Sequence, residues 1–366
     1  MKKLNYYLGA AASLMLAVTL TAGMTSCSKA DSPVADIDTP EQPEEAKLII
    51  KEFNVGGGYK TIADNKNYSW CKGLVLYNNS GAQAKVKNLA IGTIPPGNAH
   101  ANNGNYTEDG KLNYEDADFV PMIYGIWFLP TELTVEPYSD VVIAVNGAID
   151  HSAVATGAFD LSKPEYHAMY DPTSPYINAN AYPEPAAGIS ADHYWKAAVF
   201  GLGNAWAISV MCPNFILFQF PEDVDPAAYC ADAANAWYDG GKETAANYCV
   251  KIPKAWVIDG VESFRIGYIE DGSSKKRVPA SIDAGYGLYN SNKGYSLYRN
   301  VDKAATEAIA ANAGKLVYGY DQAVEGTEDA SSINAAASIK NGAKIVYLDT
   351  DNSSNDFHTR ADWSLK

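Results

Sequence analysis

The chain has 366 residues, with 28 Lys and Arg against 43 Asp and Glu, giving a formal charge of −15. A surface so acidic repels phosphate backbones, which argues against nucleic acid as a partner. Tyr outnumbers Phe by 25 to 10, and its flat apolar ring with a polar tip suits half-exposed strands and binding faces.

Lys2 and Lys3 precede an apolar run from Leu8 to Thr19, and small residues then lead to Cys27. A basic start, a short apolar stretch and small residues describe a secretory signal, not a spanning helix. Thr25-Ser26-Cys27 fits the lipobox of bacterial lipoproteins, with Met24 where Leu is commoner. Residues 1–26 therefore read as a signal peptide and Cys27 as the lipidated residue. No later stretch approaches the roughly 18 apolar residues of a membrane span, so lipid is the membrane contact expected. Residues 27–46 are rich in Asp, Glu and Pro and cannot recover the entropy of ordering, as expected of an acidic flexible tether. Asp31, Asp36 and Asp38 loosely resemble the surface-export signal of Bacteroidetes lipoproteins. The expected location is the outer membrane, exposed at the cell surface. Removing the first 26 of 366 residues leaves 340, ample for a large core.

The body, residues 47–366, reads mostly as strands. Lys47–Val55 and Gly73–Tyr77 are short β-rich runs followed by turn residues. Asp140–Val145 is almost wholly apolar, as in a strand buried on both faces. Ala205–Met211 and Phe215–Phe220 flank Cys212-Pro213-Asn214, which predicts a hairpin. Two Ala-rich segments between Cys230 and Cys249 meet at Asp239-Gly240-Gly241, which predicts a helical hairpin over about 226–249. Such a hairpin brings Cys230 and Cys249 together, and outside the cytoplasm they are expected to form a disulfide; for Cys71 and Cys212 a bridge and free thiols stay open. Trp256–Ile258, Ser263–Ile269, Tyr295–Arg299 and Lys344–Leu348 are further strands, and Asp302–Ala313 is a helix stopped by Gly314. Long polar loops lie at 97–118, 170–192 and 319–338. The pattern is mainly β, with a sandwich, long loop insertions and a few short helices.

Gly73–Ser80 (GLVLYNNS) and Asp349–Phe357 (DTDNSSNDF) resemble motifs of the lamin-tail-like family of Bacteroidetes lipoproteins, the DUF4876 group. Further matches are EPYSDVVIAVNGAIDH (136–151), NAWAISVMCPNFILFQFP (204–221), IDGVE (258–262), KRVPASIDAG (276–285) and SLYR (296–299). The resemblance runs from about Lys47 to Phe357, so it implies a single domain with insertions. It also implies an immunoglobulin-like β-sandwich with no established catalytic activity. Lamin-tail modules usually carry Glu two residues before the Tyr of the first motif; here Val75 stands there, so any role of that carboxylate is lost.

No catalytic signature stands out. The histidines (His100, His151, His167, His193, His358) show no ligand spacing, and there is no HExxH, CxxC, nucleophile elbow or phosphate-cradling loop. The segment 105–116 resembles the calcium loop of EF-hands and dockerins. Asn105, Thr107, Asp109, Asn113 and Asp116 place oxygens at loop positions 1, 3, 5, 9 and 12, Gly110 stands at position 6, and Lys111 would offer its carbonyl from position 7. A polar surface loop is the simpler and preferred reading of the same residues, with calcium the alternative. Asp349, Asp351 and Asp356 form a second, weaker calcium candidate. The function expected is a non-catalytic, surface-anchored module that binds a ligand or docks on an outer-membrane uptake receptor. A glycan-binding accessory of a polysaccharide-uptake system is the alternative, and an envelope hydrolase the third.

Overall fold

The computed structural model describes residues 45–97, 102–174, 181–203, 208, 210–268, 275–290, 293–324 and 326–365. Cys27, the signal and nearly all of the tether lie outside them. Among the described residues no helix is long and apolar enough to cross a membrane.

Eleven strands make one large sheet: β1 (Leu48–Asn54), β2 (Gly73–Asn78), β3 (Leu89–Gly92), β4 (Gly125–Phe128), β5 (Asp140–Ala144), β6 (His167–Met169), β7 (Tyr194–Val199), β8 (Phe215–Gln219), β9 (Val257–Val261), β10 (Ser296–Arg299) and β11 (Phe357–Arg360). Their order across the sheet is β9-β8-β3-β4-β7-β6-β5-β2-β1-β10-β11. Neighbours run antiparallel except at β6, which is parallel to both β5 and β7. The sheet curls back on itself. The Ile50 N–H of β1 donates to the Asp259 carboxylate of the edge strand β9 at 2.7 Å. Ile50, Leu74, Leu76 and Ile143 from one half thus share a single core with Ile91, Trp127, Trp195 and Leu217 from the other. Burying each such side chain contributes about 1.5–3 kcal/mol.

Strand alternation fixes which residues face that core. In β2, Leu74 and Leu76 point inward, while Val75 and Tyr77 belong to separate outer clusters. β1 breaks the rule once. Leu48 and Ile50 face the core, but after them the inward residues are Phe53 and Val55. Between Ile50 and Glu52 the pairing with β2 slips by one residue, a β-bulge at Lys51. The bulge puts Lys51 and Glu52, neighbours in sequence, on the outer side together.

Four short α-helices complete the fold: α1 (Pro226–Ala231), α2 (Lys303–Ala308), α3 (Ala335–Lys340) and α4 (Ser353–Asp356). Asp225, Asp302, Asn334 and Asn352 cap them, each side chain accepting from an N–H two or three residues on. The molecule is mainly β, with large curled sheets.

Several expectations need correction. The helical hairpin over 226–249 does not form. Only α1 is α-helical, with single 3-10 turns at Ala233–Asn235, Asp239–Gly241 and Ala245–Asn247; Ala236–Tyr238 and Tyr248–Pro253 are strands paired antiparallel, with Trp237 opposite Cys249. Aromatic and β-branched residues there pack better on a pleated surface than on a helix. The hairpin of 205–211 with 215–220 is not formed either, because both edges of β8 are occupied by β3 and β9; most of 205–211 lies outside the described residues. Lys344–Leu348 is not a strand: it forms one isolated bridge, Val301 to Tyr347, and packs against the outer face of the sheet through Ile345 and Tyr347. The helix from Asp302 ends at Ala308, with Ile309 extended, and Gly314 at φ 73° closes the following turn.

Candidate functional site

Two groups of buried charge lie on the sheet, and only one of them opens to solvent. The closed group holds the curl together. Arg299 in β10 donates to Asp259 at 2.6 Å, Asp349 at 2.9 Å and Asp356 at 3.4 Å, and its Nε donates to the Ile50 carbonyl at 3.0 Å. Beside it, Glu262 and Arg277 form a pair with 0% side-chain exposure; the Glu262 carboxylate also accepts from the backbone N–H of Arg277 and Val278 at 2.7 and 2.9 Å. Asp283 takes the Glu262 N–H at 2.6 Å and the Ser353 N–H at 2.7 Å, joining the first motif of this seam to the last. Burial pushes Asp259 up to about 6, although Arg299 pulls it down. The carboxylates here are matched to guanidinium, hydroxyl and backbone N–H groups of the chain itself, so the arrangement serves as a staple.

The open group sits on the outer face of β1, β5, β10 and β11. The bulge places Lys51 there, and its ammonium contacts both Asp140 oxygens at 2.6 Å. The rings of Tyr77, Tyr298 and Tyr347 surround it at 5.6, 5.8 and 5.9 Å. Burial alone would lower the Lys51 pKa, but Asp140 and Tyr298 outweigh it, so the net direction is upward. Glu52 is wholly buried and accepts from Ser296 Oγ at 2.5 Å, Ser364 N–H at 3.1 Å and the Ser364 hydroxyl. Burial raises its pKa against the pull of Arg360 and Lys51.

Arg360 ends β11. Phe357 on that strand faces the core, so alternation turns His358 and Arg360 outward. The guanidinium lies over the Tyr298 ring at 4.9 Å and is only 6% exposed, as a residue. No hydrogen bond or ion pair joins it to any described residue, and its Nε is buried without a partner. Gln322 Oε1 and Trp363 Nε1 are likewise buried and unpartnered. All three side chains line one cavity of about 420 Å³, between the outer face of the sheet, α3 and the segment near Gln322. Lys51, Asp140, Asp321, Asn334 and Ser364 are among its other polar lining residues, with Lys340 and Asp362.

The residues singled out from the sequence lie elsewhere. Asn105 is buried and its amide is committed: Nδ2 donates to Asp239 at 2.6 Å and Oδ1 accepts from the Gly240 N–H at 2.8 Å. Residues 106–112 fold as a small hairpin bridged from Tyr106 to Leu112. Thr107 hydrogen-bonds Asp109, and Lys111 forms an ion pair with Asp116. Asn113 adds only a backbone link, its N–H donating to the Asn105 carbonyl at 2.9 Å. The side chains therefore do not converge as a calcium loop requires. Asp349 and Asp356 are bound to Arg299. Among the described residues no three His, Cys, Asp or Glu side chains form a metal-sized group.

Cys71, Cys212, Cys230 and Cys249 are free and buried, which corrects the expected Cys230–Cys249 bridge. Val250 and Ile252 share a core cluster with Cys230, so alternation turns Cys249 to the other face of its strand, where its thiol donates to the Asn247 carbonyl. Cys71 and Cys212 lie in different clusters. Burial pushes the Cys71, Cys212 and Cys230 thiols up to about 12, so these sulfurs are unreactive packing groups. His100 lies outside the described residues. His151 meets Tyr68 and the Gly147 carbonyl, His193 the Tyr166 carbonyl, and His358 Tyr320 and Asn300.

Lys51, Glu52 and Arg360 belong to none of the motifs that the sequence offers. The signal was present: a Lys-Glu pair inside an otherwise apolar strand either interrupts it or marks a bulge.

Curled β-sheet and cavity together define a mainly-β protein with a polar, mixed-charge cavity and no metal cluster among the described residues. The chain belongs to the DUF4876 family, described as proteins of unknown function, whose model matches residues 136–364. It is similar to the crystal structure of a DUF4876 family protein from Bacteroides thetaiotaomicron VPI-5482, with a TM-score of 0.56 and 19% identity over 87% of this chain and 72% of that one. No curated protein matches.

Proposed function

We propose that the protein is a non-catalytic, lipid-anchored binding module of the outer membrane, facing outward, whose cavity beside Arg360 captures a small polar ligand for an outer-membrane uptake receptor. Its body would be an immunoglobulin-like, lamin-tail-like sandwich, drawn from the two halves of the curled sheet. One observation carries the binding reading: a protonated guanidinium only 6% exposed has no anionic or hydrogen-bonding partner on the wall of the cavity. A buried charge left unpaired costs several kcal/mol unless something else satisfies it. The lipid anchor rests on the lipobox at Cys27, and the acidic tether would give the module reach.

The glycan-binding alternative draws on the same cavity, since among the described Tyr, Trp and Phe pairs rings meet edge-on or tilted and offer no flat stacking platform. Metabolic labelling of cells with a clickable palmitate analogue, followed by protease treatment of intact cells, tests the anchoring. The wild type should take up label and be digested from outside, and Cys27→Ala should do neither. An unlabelled wild type, or one protected from protease, would refute that part.

A further inference from the structure

We infer that the cavity recognises a monocarboxylate that carries neighbouring hydrogen-bond donors, the chemistry shared by acidic sugars and amino acids. This rests on the binding-module reading and adds the class of ligand.

The unpartnered atoms set the requirement. Arg360 Nε–H and Trp363 Nε1–H are donors, and Gln322 Oε1 is an acceptor. A ligand that satisfies all three must bring acceptors for the first two and a donor for the third. A carboxylate is the acceptor that matches the planar fork of a guanidinium. Of the other cations on the wall, Lys51 is held by both oxygens of Asp140, and Lys340 is an exposed residue at the end of α3. Neighbouring anions do not satisfy Arg360. The Glu52 carboxylate is taken by Ser296 and Ser364. Burial works against the Arg360 charge, but Tyr298 and Glu52 outweigh it, so the guanidinium keeps its proton.

The remaining wall selects the rest of the molecule. Asp140, Asp321 and Asp362 also line the cavity. With Asp140 paired to Lys51, a phosphate dianion placed there meets two further carboxylates, Asp321 and Asp362, whereas hydroxyl or ammonium groups beside a single carboxylate find acceptors. A cavity of about 420 Å³ is of the size that holds small ligands.

The test is calorimetric titration of the full chain in detergent with D-glucuronate, L-glutamate, D-glucose and inorganic phosphate, on the wild type, Arg360→Gln and Gln322→Ala. Saturable binding of glucuronate or glutamate, but not glucose or phosphate, is expected, and whichever binds tighter names the source as acidic sugar or amino acid. Arg360→Gln should weaken it about tenfold or more, and Gln322→Ala, a half-buried change that spares the Tyr298 stack, about three- to tenfold. Thermal melts establish that each variant is folded. If Arg360→Gln is not folded, Gln322→Ala alone decides. Glucose binding that ignores both variants would overturn the carboxylate inference and leave a binding module standing. Silence from the wild type toward all four probes would overturn the inference, while the surface labelling would still stand on its own result. Phosphate binding more tightly than either carboxylate would overturn it as well.

Discussion

Glu262 illustrates how much of this protein is decided by single buried charges. Its carboxylate meets the guanidinium of Arg277 and two backbone N–H groups with no contact to solvent. Removing the carboxylate strands Arg277, whose remaining bonds are to the carbonyls of Cys212, Ser263 and Pro96. Glu262→Ala should therefore lower stability by about 3–5 kcal/mol, the cost of an orphaned buried ion, measured by denaturant unfolding at neutral pH. A loss below about 1 kcal/mol would show that water reaches Arg277 and that the pair is not buried as described.

At the scale of elements, the strands read from apolar runs at Lys47–Val55, Gly73–Tyr77, Asp140–Val145 and Phe215–Phe220 coincide with β1, β2, β5 and β8. Apolar density and turn residues are local signals, so these were legible. The 236–253 ribbon was not, because Ala-rich composition masked residues whose strand state depends on a partner, Phe119–Ile123, more than a hundred positions away. The motifs of the family resemblance were legible as motifs but not as physics. IDGVE, KRVPASIDAG, SLYR and DTDNSSNDF contain Asp259, Glu262, Arg277, Asp283, Arg299, Asp349 and Asp356, the members of the seam. The cavity escaped because it needs β1, β11, α3 and Gln322 brought together in three dimensions. The C-terminal segment helps close it. Trp363 packs over Gly73 of β2, where an added Cβ would meet the ring at 2.6 Å and the Ile143 carbonyl at 2.8 Å. Gly73→Ala should cost about 1–3 kcal/mol and expose residues 361–365 to limited proteolysis. Unchanged melting and unchanged cleavage would mean that the segment does not rest on β2.

For the whole molecule, acid is the informative stress. Burial holds the His167 and His358 imidazoles down to about 3, against 6.5 for an ordinary histidine. Between these values the unfolded chain binds protons that the folded one refuses. Stability should thus fall as pH drops from about 6.5 toward 3, by about 1.4 kcal/mol per pH unit for each group. Asp259 acts in the opposite sense: held at about 6, it contributes stability below its unfolded value of 3.8 that is lost as pH rises through 6. Burial also raises the Glu52, Asp283 and Asp329 carboxyls, which act in that same sense, so the imidazole contribution is read from the difference between the wild type and a histidine variant. Denaturant titrations across this range test it, and His358→Gln should lower the slope by about 1.4 kcal/mol per pH unit relative to the wild type. Equal slopes in the two proteins would show that the His358 imidazole titrates normally.

The chain enters the sheet at β1, and β1 lies inside it, flanked by β2 and β10. Tension delivered through the residues before Lys47 therefore runs along a strand bonded on both sides, with its hydrogen bonds perpendicular to the pull. Such a strand cannot be peeled one rung at a time; two ladders, and the Ile50 link to Asp259, must slide together before it yields. A body fastened to a membrane by that end would resist drag at its point of attachment.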